Sequence, residues 1–195
     1  MALRVESLTG DAARAVFDAL AALRITVFRE YPYLYAGTLE YEREYLAPYA
    51  ASAGGVIVAA FDGARMVGAA TALPLLDDTD NVAAPFRAAG IDPARVFYLG
   101  ESVLLPEYRG RGLGHAFFDG REARARELGF PITAFCAVQR PPDHPRRPAD
   151  YRPHNAFWRK RGYSPRPAMI ATFSWRDLDD AEATAKPMRV WSRGT

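Results

Sequence analysis

The chain has 195 residues, 49% hydrophobic and 25% charged, and its 25 Lys and Arg against 23 Asp and Glu leave a net charge of +2. That is the size of one domain, spanning 1–195, with the make-up of an ordinary globular protein, which excludes a disordered chain, a collagen-like repeat and a disulfide scaffold. So even a balance gives no reason to expect a nucleic-acid or membrane partner, and no stretch approaches the ~18 apolar residues of a transmembrane helix. The opening Met1-Ala2-Leu3-Arg4-Val5-Glu6 lacks the apolar run of a signal peptide, and Cys136, the one cysteine, has no disulfide partner, so the expected setting is cytoplasmic.

From Asp11 to Phe28, Ala12, Val16, Leu20, Leu23, Ile25 and Val27 recur at mostly helical spacing, with Asp11 placed to cap the start. Thr38-Leu39-Glu40-Tyr41 opens a second short helix. The period then changes to two strands, 56–61 and 66–73, joined at Asp62-Gly63, where both residues tolerate the positive φ of a hairpin turn. A connector follows from Pro74 to Ala94, with one helical stretch over 82–89, and Val96 to Leu105 is a further strand. Leu113 to Leu128 reads as a helix with Leu113, Phe117, Gly120 and Ala123 toward one side and Arg121, Glu122, Arg124 and Arg126 mainly toward the other. Gly129 stands where a left-handed residue ends a helix, with Phe130 behind it as the hydrophobic contact. A strand at 132–138, a short helix at 155–161, a strand at 169–175 and a closing strand at 188–191 complete a mixed α/β or α+β order. Its central strand–helix–strand unit implies a parallel pair with a right-handed crossover.

Between the strand ending near Leu105 and the helix beginning at Leu113 lies Arg109-Gly110-Arg111-Gly112-Leu113-Gly114. Three glycines in five positions let backbone approach a ligand closely, and a helix N-terminus adds partial positive charge, so the loop suits an anion or a phosphate. A tight structural turn is the alternative. The Walker A pattern fails because His115 follows Gly114, and a dinucleotide fingerprint fails because His115 and Phe117 stand where glycine is required.

Arg109, Gly112 and Gly114 do meet the pattern R/Q-x-x-G-x-G/A, and here the sequence resembles the GCN5-related N-acetyltransferase (GNAT) superfamily. The resemblance runs upstream through Val103-Leu104-Leu105-Pro106-Glu107-Tyr108. A second marker is Asn155-Ala156-Phe157-Trp158-Arg159-Lys160-Arg161-Gly162-Tyr163, which looks like the family's late helix ending in a Gly-aromatic pair. The resemblance implies a mostly antiparallel central sheet with one parallel pair and helices on both faces. It also implies acetyl-CoA as cosubstrate, its pyrophosphate held by the amides of Arg109, Gly110, Arg111, Gly112, Leu113 and Gly114. The preceding strand at Val103 and Leu104 would pair with the pantetheine arm, with His115, Asn155 and Trp158 nearby. No metal is implied: His144 and His154 have no Cys partners at ligand spacing.

Acetyl transfer to an amine requires loss of a proton from the acceptor, polarisation of the thioester and protonation of the leaving thiolate. Glu101 is the only acidic side chain between Val96 and Leu105, and a carboxylate withdrawn from water suits a base working near neutrality. The alternative is a structural glutamate bonded to backbone or to an arginine. Some histone-modifying relatives keep their glutamate nearer Tyr98, and strand alternation puts Tyr98 and Glu101 on opposite faces. Many relatives carry a tyrosine acid where this chain has Trp158, whose indole cannot protonate a thiolate near pH 7. Tyr151, His154 or Tyr163 could substitute, the thiolate could leave without a dedicated acid, or the protein could be a non-catalytic acyl-CoA-binding sensor. Cys136, in an apolar run without a basic partner, reads as core.

Two segments flank the expected acceptor side. Tyr31, Tyr33 and Tyr35 supply amphipathic surface, and Glu30, Glu40, Glu42 and Glu44 would attract a cationic amine unless they form a solvated face. Gln139 to Pro153 carries five prolines and four arginines, Arg140, Arg146, Arg147 and Arg152, in 15 residues. It reads as an ordered rim, and its arginines suit an acidic acceptor or the 3′-phosphate of coenzyme A. The two segments pull in opposite directions, so the acceptor class stays open, leaning toward a small-molecule amine. The C-terminal strand is a candidate homodimer edge.

Overall fold

The structure is a computed structural model that describes residues 3–78 and 80–195. Its strands are β1 (Leu3–Leu8), β2 (Val56–Asp62), β3 (Arg65–Pro74), β4 (Val96–Leu104), β5 (Ile132–Val138), β6 (Ser164–Trp175) and β7 (Thr184–Gly194), forming one seven-stranded sheet in the order β1-β2-β3-β4-β5-β7-β6. Every neighbouring pair is antiparallel except β4 and β5. The helices are α1 (Gly10–Arg14), α2 (Phe17–Val27), α3 (Leu39–Ala51), α4 (Asp80–Ala88), α5 (Leu113–Glu127) and α6 (Asn155–Lys160). The mixed, mostly antiparallel sheet with a single parallel crossover through α5 is thus present as expected.

Several local readings need correction. The helix expected from Asp11 breaks after Arg14, and Thr9, not Asp11, precedes its first turn; Asp11 instead pairs with Arg14 within that turn. Asp62 is the last residue of β2, paired with Arg65, so the two turn residues are Gly63 and Ala64, with Gly63 taking the positive φ of 61°. Thr38 caps α3 by accepting the Tyr41 N–H at 3.3 Å, and the helix it starts runs thirteen residues through Pro48. Gly129, at φ 77°, does end α5. The Phe130 N–H donates back to the Ala125 carbonyl at 2.9 Å, and the Phe130 ring packs on Phe97.

Arg121 and Glu122 were expected on the outer face of α5, yet both are buried. Arg121 crosses under β4 and donates to the Phe117, Thr71 and Glu101 carbonyls and to the Ser102 hydroxyl. Withdrawal from water lowers its pKa to about 10, still a cation at neutral pH. Its fork satisfies carbonyls where the ladder fails, because β4 carries an extra residue there. Ala70 faces Ser102 while Ala72 faces Leu99, leaving Gly100 and Glu101 opposite a single residue of β3. Gly100 cannot be replaced at this bulge: a Cβ would lie 2.2 Å from the Tyr49 hydroxyl and 2.5 Å from that of Thr71.

Candidate active site

Two consequences of β4 build the site. The first concerns its edge toward β5. The parallel ladder lasts three pairs, ending at Tyr98 opposite Ala134, although β4 continues to Leu104 and β5 to Val138. Beyond that point the strands part, leaving one β4 edge without a strand partner. The Leu105 N–H donates to the Val67 carbonyl across β3. By the alternation of an antiparallel ladder the peptide groups of Leu104 therefore face the open side, and those of Val103 face β3.

At the end of this wedge the chain turns through Arg109-Gly110-Arg111-Gly112 into α5. Gly110 and Gly112 adopt φ of 74° and 82°, and Gly112 caps α5 with no side-chain hydrogen bond. The first two amides of the helix, those of Leu113 and Gly114, thus lack intrahelical acceptors and present the positive end of the dipole, while His115 and Ala116 already donate to the Gly112 carbonyl. The guanidinium of Arg109 turns back to the Leu104 carbonyl at 3.2 Å and pairs with Glu30 at 2.9 Å, and Arg111 donates to the Glu107 carbonyl. α6 packs against this corner: Phe157 lies 3.7 Å from where a Gly114 Cβ would be and edges the His115 ring, while Arg161 reaches the His115 Nδ1 at 3.2 Å.

An alanine at position 112 would meet no atom within 4 Å, so its cost comes from conformation alone, about 1–2 kcal/mol for an L residue in the left-handed region. Gly112→Ala is expected to lower stability by about that much and to weaken coenzyme A binding several-fold, read by thermal unfolding and by titration. Unchanged affinity in a destabilised variant would confine the glycine to turn-making.

The second consequence is the bulge. An extra residue resets the alternation, so Tyr98 and Glu101 share one face instead of opposing each other, and both line a pocket of about 540 Å³, counted to its open mouth. Its rim comes from the segment joining α2 to α3, its far wall from β6 and β7. Tyr33 and Tyr35 both line it. Tyr31 does not: it packs against Tyr151 and His144 of the proline-rich segment. That rim is pinned. The Tyr35 N–H bonds to the Phe28 carbonyl, the Leu178 N–H to the Leu34 carbonyl, and Arg140 holds the Pro32 and Tyr33 carbonyls and both oxygens of Asp177.

At the pocket floor, the Glu101 carboxylate pairs through Oε2 with the Arg24 guanidinium at 2.8 Å and accepts a bond from the Tyr45 hydroxyl at 3.3 Å. Arg24 also pairs with Glu42, and its guanidinium lies 3.8 Å from the Tyr45 ring centroid and 5.1 Å from that of Phe28. All three charged side chains are almost wholly withdrawn from water, with exposures of 6% for Arg24, 0% for Glu42 and 3% for Glu101. Burial opposes the charge of Arg24, yet Glu101 and Glu42 hold its pKa above the ordinary arginine value. Burial, reinforced by Glu101, keeps the Tyr45 phenol well above the ordinary tyrosine value, so it stays a donor. Among the described residues, Glu101 Oε1 has no hydrogen-bond partner.

Arg24, Glu42 and Tyr45 escaped sequence reasoning. Of Glu30, Glu40, Glu42 and Glu44, which the sequence groups as amine-attracting or solvated acids, Glu42 alone is buried. A signal was available: Glu42, Tyr45, Leu46 and Tyr49 recur at i, i+3, i+4 and i+7, one helix face that includes an acid. The candidates for a replacement acid fare differently. Tyr163 is 1% exposed and shares hydrogen bonds with Glu122 and Thr133. Tyr151 edges Tyr31, and His154 has a pKa lowered by burial and by Arg109. None of the three lines the pocket. Trp158 packs against Phe135 and Trp191, Asn155 opens α6 at the surface, and Cys136 lines the pocket with its thiol pushed up by burial to about 12, where it is inert.

A sheet parted beside a glycine-capped helix, with a pocket across the same strand, is the frame of an acyl-CoA-dependent transferase. Residues 20–163 match the acetyltransferase (GNAT) family, and the chain belongs to that family. Solved structures of similar fold span almost the whole chain. A ribosomal-protein-alanine N-acetyltransferase from Brucella melitensis is 15% identical, with 98% of this chain and 99% of that one covered and a TM-score of 0.62. A polyamine N-acetyltransferase from Drosophila melanogaster that forms N-acetylagmatine is 14% identical, with both chains fully covered and a TM-score of 0.60. A PaiA N-acetyltransferase from Thermoplasma acidophilum in complex with coenzyme A is 11% identical, again with both chains fully covered, at 0.55. At these identities the likeness is one of fold. No curated protein sequence matches the chain. Among the described residues no helix is long and apolar enough to cross a membrane.

Proposed function

We propose that the protein transfers an acetyl group from acetyl-CoA directly to a primary amine of a small acceptor, both bound at once. The observation that carries this reading is the parting of β4 from β5, which joins the glycine loop on one side to the Glu101 pocket on the other along a single strand. The residues fit coenzyme A on two counts: a β4 edge that has no strand partner at Leu104 among the described residues, although Arg109 meets the Leu104 carbonyl, and a helix start with no side-chain cap. Leu104, with Val103 behind it, would hold the pantetheine arm, and the amides of 110–114 would hold the pyrophosphate. Bound acetyl-CoA would supply the acetyl group as a thioester and leave as the thiol, taking up the second proton that the acceptor nitrogen sheds on becoming an amide.

Glu101 Oε1 receives the proton of the entering ammonium, while Arg24 and the Tyr45 hydroxyl fix the orientation of the carboxylate through Oε2. The rings of Tyr33, Tyr35 and Tyr98 position the acceptor and exclude water from the floor. A second reading, a non-catalytic acyl-CoA sensor, is favoured by Trp158 in the place of an acid and by the engagement of Tyr163 with Glu122 and Thr133.

Calorimetric titration with acetyl-CoA and with free coenzyme A, followed by coenzyme A release against a panel of amines, separates these readings. Micromolar binding with release on some amine is expected. Binding without release on any acceptor would mean a sensor, and a flat titration of folded protein would overturn both.

A further inference from the structure

The floor of the acceptor pocket carries a buried carboxylate, that of Glu101. Two carboxylates, Glu42 and Glu101, share one guanidinium, that of Arg24, and all three are withdrawn from water. A second buried guanidinium, that of Arg121, balances the charge but donates to the Glu101 backbone carbonyl and not to its carboxylate. Among the described residues Glu101 Oε1 and Glu42 Oε1 both lack a hydrogen-bond partner and are closed to solvent, and of the two only Glu101 belongs to a side chain that lines the pocket. A buried carboxylate oxygen left without a donor at the pocket floor is satisfied by a group that donates hydrogen bonds, best by a cation.

The cations that could have received an acidic acceptor are committed elsewhere. Arg24 is held by the two carboxylates and lies between the Tyr45 and Phe28 rings. Arg140 is bidentate to Asp177 and bonded to two carbonyls, Lys186 pairs with Asp177 and Asp180, and Arg146 pairs with Asp179. Of the four arginines over 139–153, Arg140 and Arg146 thus close on acids of the turn between β6 and β7, Arg147 lies over the Tyr151 ring, and none of the four lines the pocket. Above the carboxylate the walls are rings, chiefly Tyr33, Tyr35, Tyr41, Tyr98, Phe173 and Trp175. Such walls suit a flat or apolar body and favour a cation through their faces. Glu101 is the sole acid in the lining, so a second ammonium would find no carboxylate there.

Resting on the acetyl-transfer reading, we infer that the acceptor is a monocationic primary amine on an aromatic or apolar body without a carboxylate, an arylalkylamine in chemical class, entering ammonium-first onto Glu101 Oε1. Amino acids are disfavoured because their carboxylate would meet a buried anion, and polyamines because their further charges would be stranded among rings.

The test uses four probes, 2-phenylethylamine, 3-phenylpropionate, L-phenylalanine and spermidine, titrated calorimetrically into the full chain both free and saturated with coenzyme A. Coenzyme A release is then followed for the three amines with acetyl-CoA. The expected result is that 2-phenylethylamine binds at least tenfold more tightly than each of the others and is the best acceptor. Equal or tighter binding of the acid, the amino acid or spermidine would overturn the inference, as would no binding of any probe to protein whose circular dichroism is native. The cofactor-free arm separates the two readings. Selective amine binding without coenzyme A release would sink acetyl transfer and leave the pocket assignment standing. Release that favours phenylalanine or spermidine would do the reverse.

Discussion

Replacing Arg24 with methionine is expected to cost about 3–5 kcal/mol of stability, the size of effect seen when one partner of a buried ion pair is removed. Methionine preserves much of the packing between the Phe28 and Tyr45 rings, so the loss isolates charge. Without the guanidinium, Glu42 and Glu101 are left as two buried carboxylates on neighbouring elements, α3 and β4, with no cation between them. The deficit appears as a lowered midpoint in urea denaturation followed by circular dichroism. The double variant Arg24→Met with Glu42→Gln should recover a large part of it, because only one buried charge then remains and non-additivity is expected for groups in contact. A single variant that loses less than about 1 kcal/mol would show that the trio does not hold α2 and α3 against the sheet.

What could be read from the sequence, and what could not, divides along the range of the interactions involved. The 56–73 hairpin, the end of α5 at Gly129 and the glycine loop depend on neighbours in sequence and were legible, down to one residue at the turn. β6 was recognised only from Met169. The first part of β6 contains Pro165 and Pro167, and as β6 is a sheet edge, their missing N–H donors are tolerated. β1 was not read as a strand, because Arg4-Val5-Glu6 alternates weakly on the opposite edge. The site resisted for a different reason. Its parity depends on one extra residue in β4, and a bulge inverts every inference drawn from alternation beyond it. Arg24, Glu42 and Arg121 look like surface residues until α2, α3 and α5 are laid on the sheet. Each is buried by a tertiary partner that no local pattern reveals.

Glu101→Gln is expected to cut turnover at least tenfold, within the roughly 10²–10⁴-fold that a positioned base contributes, while acetyl-CoA affinity stays nearly unchanged. The substitution keeps the shape of the side chain, Tyr45 can still donate to the amide oxygen, and Arg24 keeps Glu42 as a partner, so the fold is expected to persist. The glycine loop that would hold the cofactor begins eight residues further on at Arg109 and shares none of these contacts. Steady-state coenzyme A release and calorimetry with acetyl-CoA measure the two quantities separately. An alkylammonium must shed two protons on becoming an amide and an aromatic amine already neutral at the assay pH only one, which the departing thiolate can take, so the neutral acceptor should lose less rate in the variant than the alkylammonium. If both acceptors lose rate equally, Glu101 orients the acceptor without carrying its proton. If neither loses rate, the carboxylate belongs to the structural trio alone, and the proton must leave by a route that bypasses β4.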